Sequence, residues 1–529
     1  MLLIRFVICL CVCLVPTLAA AKDFFLTIGG GPRPDNNQVS LERNVLFHQE
    51  VLAARRPDRP AYELYFADGK SGNRDLQYRV PDFKTTCPPA GRILAEVLGD
   101  AASMDLFYRA HSLDQPSGPA DPQLLRRRLR DLAKELQPGD RLFLYATAHG
   151  GPAKKSDDKA KVADKEKGPE KDRPADPQVF NTSLYCWNTT SITASEFADW
   201  LDGLDPEVSV MLVMVQCYSG GFAQTIFNGA DAERGLAPHA RFGFFAQVHD
   251  RPAAGCTPDI DQADYQEYSS FFWAALAGRT RAGGPITSAD YDDDESVSFA
   301  EAHAYAVLES DTIDVPVRTT DVLLRTFSDR GSDNADKKPE QNGTKATLLK
   351  LAGPLAGLLD KARPEERAII AGLSKRLALE DPTIESLRTT IEQHGKDIKA
   401  TADRLASAKR ATRRAKDRAQ QDFYDTWPEL RKPYSPLAVD LLSKQAEEFV
   451  RRVEKLPSYI ALREALDREV AIDKEHLDLE RQRAKVERLL RTAENIVLAA
   501  NLPHVATPEI VARHEKLRRL EESTLAPHP

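Results

Sequence analysis

Apolar runs of four to eight residues alternate with helical spacings over the first 300 positions of the chain. Phe24, Phe25, Leu26, Thr27 and Ile28 read as a buried strand running into Gly29, Gly30 and Gly31, a glycine turn of the kind that follows the first strand of an α/β fold. Residues 44–54 have helical spacing, and 62–66 form a second strand pattern ending at Asp68 and Gly69. In the next unit Asp121 is a cap and Pro122 takes the first helical position, with Leu125, Leu129, Leu132 and Leu136 on one face. Pro138, Gly139 and Asp140 stop that helix, and residues 141–148 (RLFLYATA) follow as a strand ending at His149, Gly150 and Gly151. Thr193 and Glu196 have capping-box spacing for a helix through Phe197, Trp200 and Leu201. Residues 208–215 (VSVMLVMV) are the most apolar of the strand patterns, which predicts a central parallel strand, and the run ends in Gln216, Cys217, Tyr218, Ser219, Gly220 and Gly221. A strand over 241–248, a loop through Asp250 and Cys256, and an aromatic-faced helix over 265–278 complete the series. The alternation predicts an α/β fold with a mostly parallel sheet.

Beyond residue 330 the pattern changes. Residues 331–345 are a polar linker, and 346–529 are helical almost throughout. A 3-4 spacing joins Ile384, Leu387, Ile391, Ile398 and Leu405, and again Ile472, Leu479, Val486, Leu489, Ala493 and Ile496. Such stripes predict long antiparallel helices, a bundle or a hairpin coiled coil, suited to self-association or to binding a partner. Residues 153–177 interrupt the α/β part with eight basic and seven acidic side chains, three prolines and no aromatic. That composition buries too little to order itself and predicts a flexible insertion.

Composition narrows the setting. Arg5, the apolar run from Phe6 to Leu18 and the small residues Ala19, Ala20 and Ala21 have the plan of a cleavable export signal over residues 1–21. An uncleaved anchor is the alternative, but the run is short for a bilayer span, and no later segment is long and apolar enough. The expected mature protein is therefore secreted or periplasmic, with an α/β domain over 22–330 and a helical domain over 346–529. A net charge of −8 gives no electrostatic reason to expect a nucleic-acid partner. Three of the seven cysteines fall in the leader, and Cys87, Cys186, Cys217 and Cys256 remain. Four cysteines in so long a chain are not a disulfide framework, and no CxxC pair suggests a metal.

Two of the strands end in chemically matched residues, His149 and Cys217, each with glycines close behind. A cysteine attacks a carbonyl as thiolate and needs a base or imidazolium beside it. Neighbouring parallel strands lie about 4.8 Å apart, so residues at their C-terminal ends reach one substrate. The backbone amides of Gly150 and Cys217 are candidates for an oxyanion hole. Taken singly, Cys217 is as well explained as a packed core thiol and His149 as a hydrogen-bonded loop residue.

The strings YATAHGG at 145–151 and VMVQCYSGG at 213–221 resemble the caspase, legumain and gingipain clan of cysteine peptidases. The resemblance covers residues 24–310 and implies an α/β/α sandwich followed by the all-α helical module. It makes Cys217 the nucleophile and His149 the general acid–base of a peptidase cleaving peptides or proteins through a thioester, with no cofactor required. In legumains an asparagine after the first strand orients the histidine. Asn37 matches its place, with a plain turn residue as the alternative. Asp250 would line a specificity pocket, or else be a solvated loop acid. The chain departs from the clan at Val215, where legumains carry an acid, and at Gln216, so no asparagine, aspartate or arginine preference is transferred. The same dyad would serve a transpeptidase, and an inactive caspase-fold scaffold binding through its helices is the reading from another class. A helical C-terminal module also covers the site in legumains, an analogy without matching motifs here.

Finally, Asp290, Asp292, Asp294 and Glu301 have the spacing of an EF-hand calcium loop, although Glu295 stands where a glycine is needed. Ca²⁺ is the one ion this suggests. The competing reading is an acidic loop capping the helix that starts at Phe299.

Overall fold

The structure is a computed structural model that describes residues 21–154, 177–255, 266–328 and 348–527. The expected leader apart from Ala21, nearly all of the 153–177 insertion, the linker 331–345 and Cys256 lie outside the described residues.

A six-stranded sheet forms the centre: β1 (Asp23–Gly30), β2 (Ala61–Phe66), β3 (Arg141–Ala148), β4 (Ser209–Met214), β5 (Arg241–Phe245) and β6 (Val317–Arg318), in the order β2-β1-β3-β4-β5-β6. All neighbours are parallel except β5 and β6. Period-2 alternation divides the side chains between two faces. Phe25, Phe143, Tyr145, Met211, Val213 and Phe244 bury one face with helices α1 (Val39–Arg55), α4 (Tyr268–Ala277) and α5 (Phe299–Glu309). Leu26, Leu144, Ala146, Val210, Leu212 and Met214 bury the other with α2 (Pro122–Glu135) and α3 (Ala194–Leu201). The result is a three-layer α/β/α arrangement with a mostly parallel sheet.

Local sequence sets the boundaries. Asp121 accepts from the Leu124 N–H at 2.9 Å, capping α2. Thr193 and Glu196 form the capping box of α3, and Ser298 and Glu301 form that of α5.

Two long helices, α6 (Ile384–Thr426) and α7 (Pro457–Val505), run antiparallel. Thr401 meets His476 at 2.9 Å, and Arg404 meets Glu475 at 2.6 Å. Helix α7 and the helix that follows it share the core of the sheet. Leu498 and Leu502 of α7 and Leu517 of α8 (Pro508–Glu521) pack in the cluster on one sheet face, and Ala484 of α7 packs in the cluster on the other. Among the described residues no helix is long and apolar enough to cross a membrane.

Candidate active site

The strand order reverses between β1 and β3: from β1 the chain steps outward to β2 and then returns to the opposite side of β1. In doubly wound sheets the crevice beyond the C-terminal strand ends at such a point is where ligands bind. His149 leaves the end of β3 there, and Cys217 follows the adjacent β4.

The two backbones touch. Val215 N–H donates to Ala146 O at 3.0 Å, which carries the β3–β4 pairing one step past the end of β4. A methyl on Gly150 would collide with the Cys217 carbonyl oxygen and come within 2.7 Å of Gln216 Cγ, so this approach needs glycine. Gly150 also faces Leu184 in a short antiparallel ladder in which Tyr185 N–H donates to His149 O at 2.9 Å. Antiparallel pairs alternate between bonded and non-bonded. The bond at His149 therefore leaves the Gly150 N–H pointing away from this ladder. Gly220 is a second forced glycine, since a methyl there would sit 2.6 Å from Gln247 O and 2.9 Å from His249 N.

His149 is held from the first βα loop. Its Nε2 lies 2.8 Å from the Asn36 carbonyl oxygen and 2.9 Å from Gln38 Oε1. A carbonyl only accepts, so Nε2 carries the hydrogen and Nδ1 is the basic nitrogen of the neutral ring. The loop reaches this position by folding over Gly31, where a methyl would collide with Asn36 O. Asn37, the expected orienting residue, does a different job. Its Oδ1 accepts from Gly31 N–H at 3.0 Å and its Nδ2 donates to Asp75 O at 3.2 Å. Orientation of the ring falls to its neighbours Asn36 and Gln38, because the loop turns the Asn37 side chain back toward β1.

Cys217 and Cys87 are half-buried, Cys186 is buried, and all three are free. Tyr218, directly after it, has φ +61°, a left-handed conformation that is strained for a non-glycine residue. The Cys217 sulfur lies against the loop after β5: Ala253 N–H donates to Sγ at 3.3 Å, and Ala253 O lies 3.8 Å from Sγ. Burial pushes the thiol up from its ordinary value, the Ala253 N–H works against that, and the Asp314 carboxyl adds to it. Burial lowers His149, opposed by its bond to Asn36. No hydrogen bond joins His149 to Cys217 among the described residues, and burial favours the uncharged form of each.

Asp314 was not visible as a site residue in the sequence. It is buried, accepts from Ala254 N–H at 2.7 Å, and burial pushes its carboxyl up to about 7. Asp250 is exposed on the same loop, its carboxylate 3.7 Å from Arg251. A cavity of about 230 Å³ is lined by Ala254 and Gly255 of that loop together with Ser40, Glu267, Thr312 and Leu477.

The acidic loop before α5 lies elsewhere. Oxygens of Asp290, Asp292 and Asp294 lie within 4.8 Å of one another. Asp290 accepts from Glu295 N–H at 3.0 Å, and Asp294 accepts from Ser296 N–H at 2.9 Å. Glu301 does not turn toward them. Its carboxylate accepts from Tyr291 N–H at 2.7 Å and from Ser298 N–H at 2.9 Å, the capping role.

No family model matches the chain, and no curated protein matches it. Among solved structures, a protein of Geobacter sulfurreducens determined as a structural-genomics target aligns at 11% identity with a TM-score of 0.24, over 44% of this chain and 77% of its own. A likeness of that size carries no functional argument.

Proposed function

We propose that this chain is an exported cysteine endopeptidase of the caspase-like class, with Cys217 as nucleophile and His149 as acid–base. The observation that carries the reading is the close approach of Gly150, next to His149, to the Cys217 carbonyl at the strand-end crevice, with His149 Nδ1 left as its basic nitrogen. Substrate binding brings the peptide carbonyl carbon to Sγ, and the thiol proton passes to Nδ1. The carbonyl oxygen becomes an oxyanion facing the Gly150 and Cys217 N–H groups. Collapse breaks the C–N bond, the amine leaves with the proton from Nδ1, and a thioester remains on Cys217. Water gives a proton to the same nitrogen as it attacks the thioester, the C–S bond breaks, and that proton returns to sulfur as the acid leaves.

The test is cleavage of a mixed-sequence peptide library by the mature protein beside Cys217→Ala, with and without Ca²⁺. Cleavage lost in the variant supports the reading, and a calcium requirement would assign the ion to Asp290, Asp292 and Asp294. A variant that cleaves like the wild type would sink it.

A further inference from the structure

Two consecutive residues of α7, Glu487 and Arg488, reach the two consecutive residues Cys217 and Tyr218 through separate chains of contacts. Arg488 is 2% exposed and spends its guanidinium on one turn of the core. Nε donates to Asp314 O at 2.6 Å, and the two amino groups donate to Val307 O at 3.0 Å, Ser310 O at 2.7 Å and Thr312 O at 3.1 Å. That turn presents the Asp314 carboxylate to Ala254 N–H, and the adjacent Ala253 N–H lies on the Cys217 sulfur. The Glu487 carboxylate in turn forms ion pairs with Arg251 at 2.7 Å and with Arg483 at 2.8 Å. The Arg251 carbonyl accepts from Tyr218 N–H at 3.0 Å, bracing the strained residue that follows the nucleophile. The same helix also lines the cavity at Ala254 and Gly255, through Leu477 and Arg481.

We propose that α7 is a built-in part of the active site, with Glu487 and Arg488 acting as positioning residues that hold the Arg251–Gly255 loop, and with it the Ala253 N–H, on the Cys217 sulfur. The physical logic is satisfaction of buried groups. Arg488 fills carbonyls that no solvent reaches, and withdrawing it would orphan them together with its own charge. An N–H directed at sulfur favours the thiolate over the thiol, so the helix sets how readily Cys217 ionises. On this account the helical half completes the nucleophile's surroundings rather than merely covering them. The inference rests on Cys217 being the nucleophile of the proposed function, but sulfur reactivity is measurable without a substrate.

The experiment is a double-mutant cycle on the full chain with Arg251→Ala, Glu487→Ala and both together. It reads the rate of iodoacetamide alkylation at Cys217 by mass spectrometry as a function of pH. Losing the loop's hold on sulfur moves the midpoint of the profile up by roughly one pH unit, which is a tenfold slower reaction at pH 7. Each single variant is expected to show that loss, and the double variant no more than either, because the two side chains act as one link. Wild-type rate and midpoint in Arg251→Ala would overturn the proposal, as would losses that multiply in the double variant. Arg251 is 30% exposed at its side chain. Should Glu487→Ala fail to unfold cooperatively, Arg251→Ala decides alone. A wild-type protein that cleaves no peptide would defeat the proposed function and leave this test intact.

Discussion

Asp314→Asn isolates one buried charge beside the candidate nucleophile. The substitution keeps Oδ1 as acceptor for Ala254 N–H, bonded at 2.7 Å, and removes only the ionisable proton. Burial raises the folded-state carboxyl from 3.8 to about 7, so the folded protein holds a proton that the unfolded chain releases. The stability this contributes is complete below pH 3.8, falls as pH rises, and levels off above about 7. Between pH 5 and pH 8 the wild type therefore loses about 2.5 kcal/mol that the asparagine variant keeps. Melting entropy for 529 residues comes to about 1 kcal/mol per kelvin, so the variant's Tm gains about 2.5 °C on the wild type across that range. Thermal unfolding of both proteins at pH 5, 6, 7 and 8 is the assay. A Tm difference that stays flat with pH refutes the buried-acid account. The same substitution removes a negative charge near sulfur, so Cys217 should alkylate faster above pH 7.

Gly150→Ala drives a methyl into the Cys217 carbonyl. Overpacking of this kind costs about 1–3 kcal/mol. Displacing the Gly150 N–H should also lower kcat about 100-fold, which a paired unfolding and turnover measurement separates. Gln38→Ala removes one of two acceptors at His149 Nε2. It should cost up to about tenfold in kcat with KM little changed, checked by steady-state kinetics. Gln216 is fully buried beside Gly150, and its amide makes no hydrogen bond among the described residues. Gln216→Met should then raise stability by about 1–2 kcal/mol in denaturant unfolding.

The parallel strands were legible because each is an apolar run closed by turn residues, and β3 was bounded correctly at residues 141–148. The capping box read at Thr193 and Glu196 appears in the structure, and the box at Ser298 and Glu301 has the same local spacing but was not read. The antiparallel pair of Leu76–Arg79 with Leu106–Arg109 was not read, since four-residue strands carry too few positions to show a period. Strand ends placed His149 and Cys217 at one edge of the sheet, because a parallel sheet delivers its C-terminal ends to one side. What holds them was not readable. Asn36 acts through its carbonyl, which every residue has, and Gly31 was the single hint that the loop folds back. Ala253 likewise acts through backbone, and Arg488 reaches Asp314 across 174 positions of sequence. The helical spacing around Val486 pointed to burial but gave no sign that the adjacent Glu487 and Arg488 reach the loops at Arg251 and Asp314.

The central claim is that Cys217 is a nucleophile served by His149. Its most direct test is labelling of the native protein with a mixed pool of peptide chloromethyl ketones, read by mass spectrometry at each cysteine. The expected result is modification of Cys217 in the wild type, loss of that modification in His149→Ala, and unlabelled Cys87 and Cys186 in both. Native protein that leaves Cys217 unmodified, yet takes up the label there once denatured, would contradict it.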